Sequence, residues 1–101
     1  MEPICDFCSE PGVTWMYPAH IIGYEGGGIV GESVGGWAAC STCHALITAN
    51  DRVGLAARSA STLLAKQPDM GLTRHEAAAV LHEIQAKFFE HRTGPPAVHR
   101  A

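Results

Sequence analysis

Between Arg52 and His91 the apolar residues recur every three or four positions, the spacing that lines one face of an α-helix. Val53, Ala56, Ala57, Ala60, Leu63 and Leu64 share one such face. Asn50 or Asp51 can cap its start, which predicts a helix from Arg52 to about Lys66, weakened slightly by Gly54. Pro68-Asp69-Met70-Gly71 reads as a turn. Thr73-Arg74-His75-Glu76 then has the pattern of a capping box, opening a helix to about His91. Its apolar stripe is Ala77, Val80, Leu81, Ile84 and Phe88. Gly94-Pro95-Pro96 cannot continue a helix, so residues 93–101 read as a flexible, frayed tail.

The first half has no such period. Val13-Thr14-Trp15-Met16-Tyr17 has the β-branched and aromatic content of a short strand, stopped by Pro18. Ile21-Ile22 and Ile29-Val30 suggest further short strands. Around them, up to Trp37, lie seven glycines, which predict a loop that is mobile or holds several residues at positive φ. Gly26-x-Gly28-x-x-Gly31 spells a dinucleotide fingerprint, but it lacks the flanking βαβ unit and a nearby basic residue. A short helix follows through His44-Ala45-Leu46-Ile47, with Ser41 or Thr42 as its cap.

At 101 residues and 47% hydrophobic content the chain suits one folded domain rather than disorder. We expect a single zinc-stabilised domain over residues 1–92, divided into a zinc module (1–50) and a helical part (51–92). No apolar run approaches the ~20 residues of a bilayer span, and the N-terminus lacks a basic region followed by an apolar stretch. The expectation is a cytoplasmic protein with no membrane partner. Charge divides unevenly. Residues 1–50 carry Glu2, Asp6, Glu10, Glu25 and Glu32 with no lysine or arginine, while residues 51–101 carry five acids and all seven basic residues. Phosphate recognition needs clustered positive charge, so the acidic first half disfavours nucleic acid as a partner.

Cys5-x-x-Cys8 and Cys40-x-x-Cys43 use every cysteine in the chain. Each pair can close a tight knuckle that aims two sulfurs at one point, and four soft thiolates suit one zinc ion. The 31 residues between the pairs exceed the usual spacing, and the glycine-rich stretch accounts for the excess. The other readings are two disulfides or free thiols; the missing secretory segment argues against the first and the perfect pairing against the second. A knuckle, a hairpin and a helix opened by the second pair resemble a treble-clef or zinc-ribbon module. Cys5-Asp-Phe-Cys8 with Trp37-Ala-Ala-Cys40-Ser-Thr-Cys43-His44-Ala-Leu-Ile also looks like small four-cysteine zinc proteins of actinobacteria and their phages. That resemblance covers about the first 60 residues and implies a zinc site, with no activity to carry over.

Two sharper readings use the same residues. Cys-x-x-Cys, then His20-Ile21-Ile22, then Cys-x-x-Cys-His44 is similar to the layout of zinc-stabilised HNH endonucleases. The resemblance implies His20 as general base and His44 as ligand of a catalytic divalent cation. The chain departs from that pattern: Ala19 stands where an acid usually precedes the histidine, and no asparagine lies between His20 and Cys40. Cys40-Ser-Thr-Cys43-His44 also satisfies the haem-attachment motif of c-type cytochromes, with Met70 as a second ligand, but that would orphan Cys5 and Cys8.

The remaining signals concern surfaces. His75 and His82 share one side of the third helix and read as solvated histidines. Ala78, Ala79, Ala86 and Phe89 suggest a second packable face on that helix, for a partner or another copy of the chain. Trp15, Tyr17, Tyr24 and Trp37, with Phe89, are the candidate contact aromatics, although Trp15 and Trp37 equally suit a small core beside the knuckles. The alternatives are a nucleic-acid-binding zinc ribbon, which would use Arg52, Arg58, Lys66 and Arg74, or a degenerate HNH-type metal-dependent endonuclease. The fold expected is α+β: a small four-cysteine module of short strands and a short helix, followed by two longer antiparallel helices. The function expected is a non-enzymatic module that binds a protein or self-associates.

Overall fold

The computed structural model describes residues 3–19, 22–26, 29–33 and 36–99, with 22–26 and 29–33 as backbone only. Its elements run β1 (Val13–Tyr17), β2 (Ile22–Gly26), β3 (Ile29–Ser33), β4 (Trp37–Cys40), α1 (Ser41–Thr48), α2 (Arg52–Lys66), α3 (Arg74–His91) and β5 (Ala97–Val98). The result is a small α+β protein. No helix among the described residues is long and apolar enough to cross a membrane.

The helices form where their local signals put them. Asp51 caps α2 by accepting from Gly54 N–H at 2.9 Å. That contact also explains Gly54: a Cβ there would meet the Asp51 carboxylate at 2.3 Å, so the glycine makes room for the cap. Thr73 and Glu76 form the reciprocal capping box of α3. Between the helices, a 3₁₀ turn at Pro68–Met70 ends at Gly71, whose φ of 74° suits a residue without Cβ. α2 and α3 are pinned by a buried polar pair. Ser59 Oγ donates to Leu55 O at 2.7 Å and accepts from Gln85 Nε2 at 2.8 Å.

The chain differs from its expected form in three places, two in the first half and one in the tail. The strands expected near Ile22 and at Ile29-Val30 do form, but they run on through the glycines expected as loop, as an antiparallel hairpin pairing Ile22 with Ser33 through to Gly26 with Ile29. Trp37-Ala-Ala-Cys40 carries no strand signal of its own, yet it forms β4, antiparallel to β1 with Tyr17 opposite Trp37. It is buried throughout, and small alanines fit that crowded position. Third, the tail expected to fray adds β5 to the other edge of β1, pairing Trp15 with Val98 and Met16 with Ala97. Thr93 N–H to Pro18 O and His99 N–H to Thr14 O, both 2.9 Å, lengthen that contact. Pro95 and Pro96 end the helix but hold the chain extended, which suits it to an open sheet edge.

One core joins the two halves. Phe88 of α3 is fully buried, with ring centroids 5.0 Å from Phe7, 5.3 Å from Trp37 and 5.4 Å from Tyr17. Phe7 lies inside the first cysteine pair, so the knuckle and the third helix share one aromatic cluster.

Candidate metal centre

The first pair is shaped by its own backbone. Cys5 N–H bonds Glu10 O at 2.8 Å and Ser9 N–H bonds Cys5 O at 2.9 Å, with Ser9 in the left-handed region at φ 64°. Asp6 then locks this knuckle to β4. Its N–H reaches Ala38 O at 2.8 Å and its carboxylate accepts from Ala38 N–H at 2.6 Å. The exchange covers an otherwise open strand edge. Burial pushes the Asp6 carboxyl up, partly offset by that backbone donor.

The second pair sits at a strand-to-helix junction. The cap of α1 is Cys40 itself, not Ser41 or Thr42: its Sγ accepts from Cys43 N–H at 3.5 Å. A sulfur at this position answers a helix-terminal donor and lies at the positive end of the helix dipole, which favours a thiolate.

These two local devices bring Cys5, Cys8, Cys40 and Cys43 together. All four are buried free thiols whose sulfurs lie within 4.8 Å of one another. Cys8 and Cys40 Sγ are 3.7 Å apart. A disulfide needs ~2.05 Å, whereas a tetrahedral site with ~2.3 Å metal–sulfur bonds has sulfur–sulfur edges of about 3.8 Å. The four cysteines are therefore positioned to hold one metal ion. The disulfide reading is set aside, and so is haem, because Cys40 and Cys43 converge with Cys5 and Cys8.

Proton sharing among the thiols follows from their crowding. Hydrogen bonds from Cys43 and Cys5 hold Cys8 far below the usual thiol range. Cys43 is pushed far up by its contacts with Cys5 and Cys8 and by burial. Cys5 is pushed up to about 11: its contact with Cys43 lowers it, and Cys8 with burial outweighs that. Four negative sulfurs this close need a cation, and a divalent ion displaces the protons that otherwise hold them together.

Arg58, on α2, was not singled out for this centre by sequence. Its Nη2 donates to Cys40 Sγ at 3.9 Å. Burial opposes its charge, yet the Cys43 and Cys40 sulfurs raise its pKa above the ordinary value. No sequence signal links positions 18 apart across two helices, so this contact emerges only from the fold.

The other nominated residues fall into different places. Tyr17 and Trp37 are core, 1% and 2% exposed, and cannot act as surface contacts. Trp15 is half-buried and stacks on His44 with centroids 4.0 Å apart. Tyr17 Oη lies 2.6 Å from His44 Nδ1. Burial pushes the Tyr17 phenol up and holds His44 below the usual histidine range, so both are favoured in their neutral forms, and the His44 tautomer decides which of them donates. His44 thus belongs to an aromatic stack behind the second knuckle. Its proposed partner His20 lies outside the described residues, as does the Tyr24 side chain. Phe89 is half-buried beneath the Arg52 guanidinium at 4.1 Å.

On the outer side, α2 and α3 flank an open apolar groove of about 580 Å³ lined by Val53, Ala57, Ala78 and Ala79, with His75 and His82 beside them. Compared with known protein families, curated proteins and solved structures, the chain shows no significant match to any of them.

Proposed function

We propose that the chain is a non-enzymatic interaction module stabilised by one zinc ion on Cys5, Cys8, Cys40 and Cys43. The observation that carries this reading is the closed donor set. All four ligand positions are buried thiols, and no fifth histidine or carboxylate joins the cluster among the described residues. Catalytic zinc keeps a position open for water or substrate, whereas four thiolates fill a tetrahedron and leave the ion a structural part. Zinc suits them because it is soft enough for sulfur and has no redox chemistry to control.

The binding face we assign is the alanine-lined groove between α2 and α3, for another protein or a second copy of the chain. Val53, 73% exposed, and the small alanines allow a close apolar approach there. Nucleic acid is less favoured, since Arg58 is engaged at Cys40 and Arg52 lies over Phe89. Native mass spectrometry with elemental analysis of untagged protein tests the proposal: one zinc per chain and no second metal are expected. A second exchangeable divalent ion would revive the His20–His44 nuclease reading, and no metal would overturn the module. An Ala79→Arg change should abolish whatever assembly or partner binding the native protein shows, while leaving its zinc content intact.

A further inference from the structure

Four thiolates around a divalent ion carry two net negative charges in a buried setting, and such charge is costly unless something opposes it. The first half of the chain contains no lysine or arginine to do so. The described structure brings the opposing charge from the other half. Arg58 reaches across from α2 to Cys40 Sγ, the same sulfur that accepts the Cys43 N–H of the helix cap. Arg58 is half-buried, and its Nε is a buried donor with no partner among the described residues. A second α2 cation, Lys66, bonds the carbonyl of Ser9 next to Cys8. No acid competes for Arg58 among the described hydrogen bonds; its acceptor is sulfur.

We propose that Arg58 is the fixed counter-charge of the metal centre, a positioning residue on α2 that tightens zinc binding by the four thiolates without ligating the ion. This rests on the metal reading above. It also gives the helical half a role at the site that the cysteine spacing does not reveal: α2 completes the electrostatics of a centre whose ligands all lie before residue 44. Arginine suits the task because it stays charged and can direct more than one N–H towards neighbouring sulfurs.

The test is zinc affinity of the full chain, measured by competition with a chromophoric chelator. Arg58→Met keeps much of the stem and removes the charge; it should weaken zinc binding by roughly 10- to 100-fold, the usual scale for partners of metal ligands. Arg58→Lys should recover most of that loss, and Arg74→Met, at an exposed cation on α3, should change nothing. An R58M protein that binds zinc within twofold of the parent overturns the proposal. So does an R58K protein as weak as R58M, because lost packing rather than lost charge would then be responsible. If R58M does not fold, Arg58→Gln is compared with Arg58→Lys under the same criteria. Failure of the metal reading is distinguishable. The parent chain would then show no sulfur-to-metal charge-transfer band with cobalt(II) and no zinc uptake, whatever the residue at 58.

Discussion

Residues 3–50 and residues 51–92 reach order by opposite routes. The helical half is built from contacts close in sequence: a capping aspartate three residues from its donor, a capping box four residues long and an apolar stripe of helical period. The first half has local code for β1, α1 and its two knuckles, but these are joined by distant pairings. Cys8 meets Cys40, Asp6 meets Ala38, and β1 takes a strand on each side. Bringing such partners together costs chain entropy before any contact is made. A metal ion is an efficient remedy, because one ligand set closes several loops at once. The comparison teaches that the knuckles carrying the chemistry are local, while what brings them together is not.

The largest expected effect comes from removing the ion. Chelation, or Cys43→Ser, should destabilise the fold by on the order of 10 kcal/mol in apparent terms, enough to unfold a domain of this size. Because every cross-half aromatic partner of Phe88 lies in the first half, the helices should lose order in the same transition. Stepwise chelation followed by far-ultraviolet circular dichroism and by fluorescence of Trp37 in a Trp15→Phe background checks this. Helical signal surviving after Trp37 becomes solvated would show that the helical half stands alone. Acid should have the same effect as a chelator. Falling pH returns protons to thiolates that the ion had displaced, so zinc affinity drops as pH falls and recovers as it rises.

Next in size is the joint itself. Phe88→Ala should cost ~3–5 kcal/mol by emptying the space between Phe7, Tyr17 and Trp37. Denaturant unfolding of the zinc-loaded protein should show one transition at lower midpoint by both probes. Two separated transitions would mean that Phe88 alone couples the halves, and one transition at an unchanged midpoint would mean that they are joined through some other contact.

The bounds and caps of the helical half were legible because their determinants are short-range, but the buried face of α2 was misread: Leu55 and Ser59 are buried with Ala56 and Ala60, while Val53 and Ala57 are exposed. The Thr73–Glu76 box, the Asp51 cap and the buried residues Ala77, Ile84 and Phe88 follow from spacing alone. The four thiols were legible for the same reason, since each Cys-x-x-Cys is a local knuckle. What escaped was cross-chain. Nothing in Ala38 announces that Asp6 will pair with its N–H and C=O, and nothing in Pro95-Pro96-Ala97-Val98 announces that β1 has an edge to offer. The contact reading was wrong at Tyr17, and at Trp37 it was the core reading that held, because composition cannot tell a surface ring from one clamped by Phe88. Arg58 was counted as a surface cation because its thiol partner lies in another element.

The smallest effect sharpens the local side of the comparison. Glycine inside an exposed helix costs ~1 kcal/mol relative to alanine, so Gly54→Ala alone would ordinarily stabilise α2. Here the new Cβ would lie 2.3 Å from the Asp51 carboxylate and displace the cap, a loss of about 1 kcal/mol. The two terms nearly cancel, and Gly54→Ala should leave stability almost unchanged. Asp51→Ala should cost about 1 kcal/mol by itself. In the Asp51→Ala background no carboxylate remains to displace, so adding Gly54→Ala should recover about that amount. A double-mutant cycle by denaturant unfolding reads the coupling directly. Independent, additive effects would mean that the glycine is not there for the cap, and that residues 51–54 are less locally determined than their spacing implies.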